Sequence, residues 1–206
     1  KYQQLLKLTW MDVSHKHDYS EVLDGLSILA ETIIQHSFKL ALEPVNYTKA
    51  CNWMTVFGLG KLGASELNYS SDVDLIFVSA NIEDTDEDIN AVQSLLIDSI
   101  RKISHAIEES TSEGFLYRVD LKLRPWGSSG PLCMTLDATE NYYEASSEPW
   151  ERFAWLRSRV VAGSEVIGAE LKQRMKPFVF MRSLSTDDLE RFVQIKNDMS
   201  KARKRR

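Results

Sequence analysis

Between Phe57 and Val78 the chain reads FGLGKLGASELNYSSDVDLIFV, and the two aspartates in its apolar end constrain the fold more than any other stretch. Val73 to Val78 is nearly continuous apolar sequence, as expected of a central strand covered on both faces. Successive strand side chains alternate between faces, so Asp72 and Asp74 share one face while Val73, Leu75 and Phe77 share the other. Two carboxylates buried together without a counter-charge would be expensive. Either they are solvated at the strand end or something positive sits between them, and a divalent cation is the natural candidate for carboxylate oxygens and phosphate.

The turn before the aspartates carries Gly58, Gly60 and Gly63. It resembles a dinucleotide fingerprint only superficially, because the aspartate pair arrives before a crossover helix could form, and Lys61 is followed by Leu62 rather than the Ser or Thr of a Walker loop. Leu62 to Tyr69 has room for a two-turn helix. Its start, with Gly60, Lys61 and Gly63, offers backbone N–H groups to phosphate oxygens. The hydroxyls of Ser70 and Ser71 can donate to a phosphate or simply cap the turn.

A third acid comes from Tyr117 to Arg124, YRVDLKLR, which alternates as a strand. Tyr117, Val119, Leu121 and Leu123 face one way; Arg118, Asp120, Lys122 and Arg124 face the other. An edge strand facing solvent can look like this. Beside the first strand, however, Asp120 would join Asp72 and Asp74, and Lys122 and Arg124 would offset phosphate charge. Three carboxylates from neighbouring strands, with a glycine and serine phosphate cradle, are the parts of metal-assisted nucleotidyl transfer, in which two Mg2+ ions about 4 Å apart serve the attacking and leaving oxygens.

The remainder reads as helix around this core. Leu5, Leu8 and Trp10 suggest a short amphipathic helix, and His15 and His17 fall in a polar connection. Val22, Leu26, Leu29, Ile33 and Leu40 mark a stripe from a Ser20 cap to Leu42, where Pro44 breaks it. Trp53 to Phe57 is a short strand. Ile89 to Ile107 traces a long helix after the acidic run Glu83 to Asp88, and Gly114 ends that element. Pro131 to Thr135 is a possible strand. Helices are expected over Leu136 to Ala145, Trp150 to Val161, Glu165 to Met175 and Asp187 to Arg203, with Trp150 and Phe153 in the core. Glu151, Arg152, Arg157 and Arg159 can serve an ion-pair network or a substrate. The divisions expected are a helical segment over 1–43, a catalytic core over 44–135 and a helical region over 136–206.

With 206 residues, 43% of them hydrophobic, the chain can bury a substantial core. Its net charge of -5 disfavours bulk nucleic-acid binding. No apolar run has the length of a membrane span, no secretory leader is read at the start, and Cys51 and Cys133 are too few for a disulfide framework. The expected setting is a reducing cytoplasm. The basic tip Lys201 to Arg206, closing a periodic segment, suggests a fragment of a longer protein.

The stretches GLGKLGASELNYSSDVDLIFV, YRVDLKLRPWGSSGPL and ENYYEASSEPWERFAWLRSRVVAG resemble the bifunctional glutamine synthetase adenylyltransferase/adenylyl-removing family over about Trp53 to Arg182. The resemblance implies an α+β fold of the DNA polymerase β nucleotidyltransferase type, with a small mixed sheet flanked by N- and C-terminal helices and Mg2+ or Mn2+ as cofactor. It assigns metal binding to Asp72 and Asp74 and a catalytic third acid to Asp120. It further implies adenylylated glutamine synthetase and a nitrogen-signalling regulatory protein as partners.

Ser129-Gly130-Pro131-Leu132, Glu140 to Glu144, Trp150-Glu151-Arg152 and Pro177 to Phe180 look like the half of that family that removes AMP by phosphorolysis, with phosphate as substrate and ADP as product. The attaching half more usually shows Trp-Thr-Trp-Glu at Pro149 to Arg152. Phe153 and Ser158 depart from the expected glutamine and alanine, which bears on substrate contacts rather than on the acids. Forward adenylyl transfer from ATP to a protein tyrosine, another small-substrate nucleotidyltransferase, a nucleotidyltransferase acting on nucleic acid, which the net charge of -5 weighs against, and an inactive scaffold are the alternatives.

Overall fold

The apolar run after the aspartates becomes strand β2, Val73–Ser79, and two hydrophobic layers meet on it. A computed structural model describes residues 1–14, 18–45, 51–81, 88–112, 114–148, 150–180, 190 and 193–194. The expectations for His15, His17, most of the acidic run, most of the final helix and the basic tip lie outside these residues.

Two helices open the chain, α1 (Tyr2–Val13) and α2 (Tyr19–Leu42). Strand β1 (Met54–Gly58) leads into a single helical turn, α3 (Gly60–Gly63), and then β2. Helix α4 (Ile89–Glu108) starts where the Asp88 carboxylate accepts from the Asn90 N–H at 3.0 Å. Then come β3 (Val119–Asp120), β4 (Cys133–Thr135), α5 (Leu136–Ala145), α6 (Glu151–Leu156), β5 (Arg159–Gly163), α7 (Glu165–Arg174) and α8 (Lys176–Val179).

The sheet is small and mixed, and the fold is α+β, as expected of a nucleotidyltransferase core. β1 lies antiparallel between β2 and β5, while β3 and β4 both run parallel to β2, β3 at its start and β4 at its end. One layer packs α1, α2 and α4 on the sheet through Val22, Leu26, Ile34, Phe38, Ile100 and Ile103 against Val56, Leu75 and Phe77. The other packs α5 to α8 through Tyr143, Trp155, Leu171 and Phe178 against Phe57, Ile76 and Val78. Alternation along β2 therefore sends its odd residues into the first layer, and Asp74, Ile76 and Val78 toward the second.

Five local expectations change. The run Tyr117 to Arg124 forms only two residues of strand, because the chain turns at Lys122. Leu62 to Tyr69 does not form two turns of helix; α3 ends at Gly63, and Ser65 takes a left-handed φ of 56°. Trp150 to Val161 splits into a short helix and β5, a strand that joins the core sheet from beyond position 135. Trp150 and Phe153 are exposed, and Trp155 is the tryptophan of this segment that packs in the core. In α2 the buried stripe runs through Ala30 and Ile34 rather than Leu29 and Ile33, and Leu40 is exposed. Helical spacing alone leaves that phase open by about one residue. No helix among the described residues is long and apolar enough to cross a membrane.

Candidate active site

Asp74 and Asp120 are direct register partners across the parallel β2–β3 pair, so their side chains leave the same face. Asp72 precedes the strand by one residue and shares that parity. Val119 and Leu121 pack toward the first layer, which turns Asp120 away from it. Burial first, then the charges of Asp120 and Asp72, push the Asp74 carboxyl from its ordinary 3.8 up to about 6, with Lys61 pulling the other way.

Two of the three acids hold neighbouring cations. Asp72 is ion-paired with the Arg118 guanidinium. The Asp120 carboxylate accepts from the Lys122 backbone N–H at 2.7 Å and lies 3.6 Å from Lys122 Nζ. Among the described residues, no group of three or more His, Cys, Asp or Glu is drawn together as a metal-holding cluster. The donor set nonetheless fits a hard divalent cation. Asp74 and Asp120 on paired strands, with Asp72 one residue before the first, would offer oxygen ligands, and the repulsion of Asp120 and Asp72 on Asp74 is relieved only in part by Lys61.

The glycine turn is built around Asp74. The Leu59 N–H donates to the Asp74 carbonyl at 3.0 Å. Gly60 has a φ of +55°, and a Cβ there would stand 2.5 Å from Asp74 Oδ2. Gly60→Ala is expected to displace the carboxylate and strain the turn, costing about 1–2 kcal/mol in stability. A larger fractional loss of divalent-cation affinity than of melting temperature, read by calorimetry on the same samples, checks it.

Gly63 serves a different purpose. Its N–H donates to the Leu59 carbonyl at 2.9 Å, and a Cβ would meet the Arg157 carbonyl oxygen at 2.1 Å and the Gly58 carbonyl oxygen at 2.5 Å. It is a packing glycine and offers no N–H to a phosphate. Lys61 Nζ donates to Ser71 Oγ at 3.3 Å, and Ser71 Oγ donates to Asn68 Oδ1 at 2.6 Å. The Ser70 N–H also donates to Asn68 Oδ1, at 3.2 Å. Asn68 thus organises the serine turn, with the exposed Lys61 ammonium at its edge.

Arg124 is not aimed at the acids. Its guanidinium donates to the carbonyls of Gly130 at 3.2 Å, Leu121 at 2.7 Å and Ser128 at 3.0 Å, clamping the loop after Asp120. Arg157 and Arg159 pair with Glu66 and Glu31, and Arg159 Nε also donates to the Leu62 carbonyl at 3.2 Å. Both brace the glycine turn from behind.

Sequence reasoning passed over Arg118, two residues before Asp120 on the same face, and also a buried relay. Tyr142 Oη donates to the Glu151 carboxylate at 3.1 Å, and Glu151 also accepts the Glu148 N–H at 2.7 Å. Trp126 takes a left-handed φ of 57°, its ring edge-on to Tyr142 at 4.6 Å. The signal for this relay was Glu151 itself, a charged residue in an aromatic run. Tyr142→Phe leaves the buried Glu151 carboxylate short of a partner, and an expected loss of about 1–3 kcal/mol in urea unfolding checks it.

The chain matches a family model described as glutamate-ammonia ligase adenylyltransferase over residues 1–174. A curated relative from Thioalkalivibrio sulfidiphilus, named bifunctional glutamine synthetase adenylyltransferase/adenylyl-removing enzyme, is 38% identical over 89% of this chain and 20% of its own length. Relatives of the same name from Pseudomonas putida and Vibrio parahaemolyticus are each 34% identical, over 91% and 99% of this chain. The chain thus spans about a fifth of the length of these relatives.

Proposed function

The chain belongs to the glutamate-ammonia ligase adenylyltransferase family, a nucleotidyltransferase family, and on that premise we propose that it removes AMP from an adenylylated tyrosine of glutamine synthetase by phosphorolysis. The carrying observation is the Asp74 and Asp120 register pair with Asp72 on the same face. Inorganic phosphate attacks the adenylyl phosphorus and forms the new P–O bond of ADP. The bond to the tyrosine oxygen breaks, its electron pair leaves with the phenolate, and solvent supplies the proton.

Asp72, Asp74 and Asp120 are the residues that would hold Mg2+ or Mn2+, the cation supplying charge neutralisation at the phosphoryl and leaving oxygens. The Gly60 turn fixes the Asp74 carboxylate. Lys61, at the edge of the Ser70 and Ser71 turn, brings positive charge to the phosphoryl oxygens, and Lys122 does the same from the Asp120 side. Arg124 acts by holding the loop that follows Asp120. Removal rather than attachment rests on the sequence blocks from Ser129 to Leu132 and Glu140 to Glu144. A nitrogen-signalling regulatory protein and a cytoplasmic setting belong to the same reading.

The test offers the chain two substrate pairs with Mg2+: adenylylated glutamine synthetase with phosphate, and unmodified glutamine synthetase with ATP. Phosphate-dependent ADP release with the first pair alone is the expected result. Labelling from ATP with the second alone would assign the opposite direction.

A further inference from the structure

The Arg118 side chain joins the acids to the surface. Its backbone carbonyl accepts the Val73 N–H at 2.9 Å, so its Cα is fixed beside the start of β2. Its guanidinium pairs with Asp72 through Nε and reaches the Ser70 carbonyl through Nη2 at 3.4 Å. Both charged side chains are substantially exposed, 60% for Arg118 and 45% for Asp72. An ion pair this open is worth little and exchanges readily. Asp72 is also one of the three acids assigned to the divalent cation, and the guanidinium occupies its Oδ1, so a cation that takes both oxygens of Asp72 must displace Arg118.

We infer that Arg118 is a phosphoryl-binding residue held in reserve by Asp72: a divalent cation that takes Asp72 releases the guanidinium to the phosphate oxygens of the substrate. This rests on the reading of the three acids given above. Arg118 shares the face of Asp120, and its Cα, anchored through the Val73 N–H, keeps the side chain beside the three acids. A planar fork of N–H donors matches two phosphoryl oxygens, which a lysine at this position would not. The Asp72 pair also sets the order of events, since in the cation-free chain Arg118 is occupied by Asp72 and the Lys122 ammonium stands beside Asp120.

The experiment measures Mn2+ binding by the loss of the free-ion electron paramagnetic resonance signal, then inorganic phosphate binding at saturating Mn2+ by calorimetry. Wild type, Arg118→Gln, Arg118→Lys and Asp74→Asn chains are compared. Removing the competing guanidinium should tighten Mn2+ binding by Arg118→Gln about three- to tenfold without phosphate. The same variant should bind phosphate at least about tenfold more weakly once Mn2+ is saturating. Arg118→Lys should keep wild-type Mn2+ affinity and recover only part of the phosphate affinity.

Unchanged or weaker Mn2+ binding by Arg118→Gln, or unchanged phosphate binding, overturns the inference while leaving the three-acid site standing if Asp74→Asn loses Mn2+. A wild-type chain that binds no Mn2+, or an Asp74→Asn chain that binds it normally, overturns the three-acid site and this inference together. Should Arg118→Gln fail to fold, Arg118→Lys decides: full wild-type phosphate affinity in that variant contradicts the assigned fork.

Discussion

Asp74→Asn is expected to remove at least about three orders of magnitude of phosphorolysis while making the cation-free chain more stable at neutral pH. Both effects have one cause. Burial and the neighbouring charges of Asp120 and Asp72 raise the Asp74 carboxyl to about 6, so ionising it in the folded chain costs more than in the unfolded one. A raised carboxyl favours the fold while protonated. Its contribution is complete below its ordinary value near 4 and is lost as pH rises through about 6.

An asparagine carries no charge to repel, so the variant's advantage over the parent should vanish near pH 4 and reach about 2 kcal/mol above pH 6, after allowance for partial solvation. Thermal melts of both chains in chelator across that range, beside an activity assay with Mg2+, measure the two halves of the prediction. Equal melting at pH 7.5 would mean that neither burial nor the neighbouring acids penalise the Asp74 carboxylate in the folded chain. Retained activity would remove Asp74 from the chemistry.

Gly63→Ala is expected to damage the fold rather than the site. The added methyl would meet two backbone carbonyl oxygens at 2.1 Å and 2.5 Å, and neither belongs to a side chain that can rotate away. Relief requires moving the backbone at Arg157 or Gly58, and the expected cost is about 3 kcal/mol or more. Gly60→Ala meets the end of the Asp74 side chain instead. The two variants should therefore separate: Gly63→Ala lowers the urea midpoint strongly, whereas Gly60→Ala lowers it mildly and acts on the carboxylate. A Gly63→Ala chain with a normal midpoint and weakened phosphate binding would restore the cradle role expected from the sequence.

The strand carrying Asp74 was legible because its alternation and its apolar length agree. Asp120 was legible for the same reason, since Tyr117, Val119 and Leu121 alternate with the polar residues. The end of that strand was not. Alternation continues through Leu123 and Arg124 although the chain has already turned, because the Asp120 carboxylate captures the Lys122 N–H and Arg124 captures three loop carbonyls. A pattern of side chains carries no record of where those bonds close.

Gly60 and Gly63 look alike in the sequence. Only the neighbours each would strike distinguish a glycine that seats a carboxylate from one that lets two backbone segments touch. Arg157 and Arg159, read together as helical, separate because β5 completes the sheet, a long-range pairing with β1 that local periodicity does not encode. Trp155 rather than Trp150 enters the core because α6 places Trp155 edge-on to Phe57 at 5.0 Å and to Tyr143 at 5.3 Å.

The most direct test of the central claim is an anomalous-difference map from crystals of the chain soaked in Mn2+ with ADP. The account predicts a peak within about 2.3 Å of oxygens from both Asp74 and Asp120, with Asp72 turned from Arg118 onto the same ion cluster. A map with no such peak, Asp72 still paired with Arg118 and Asp120 still held by Lys122, would contradict it.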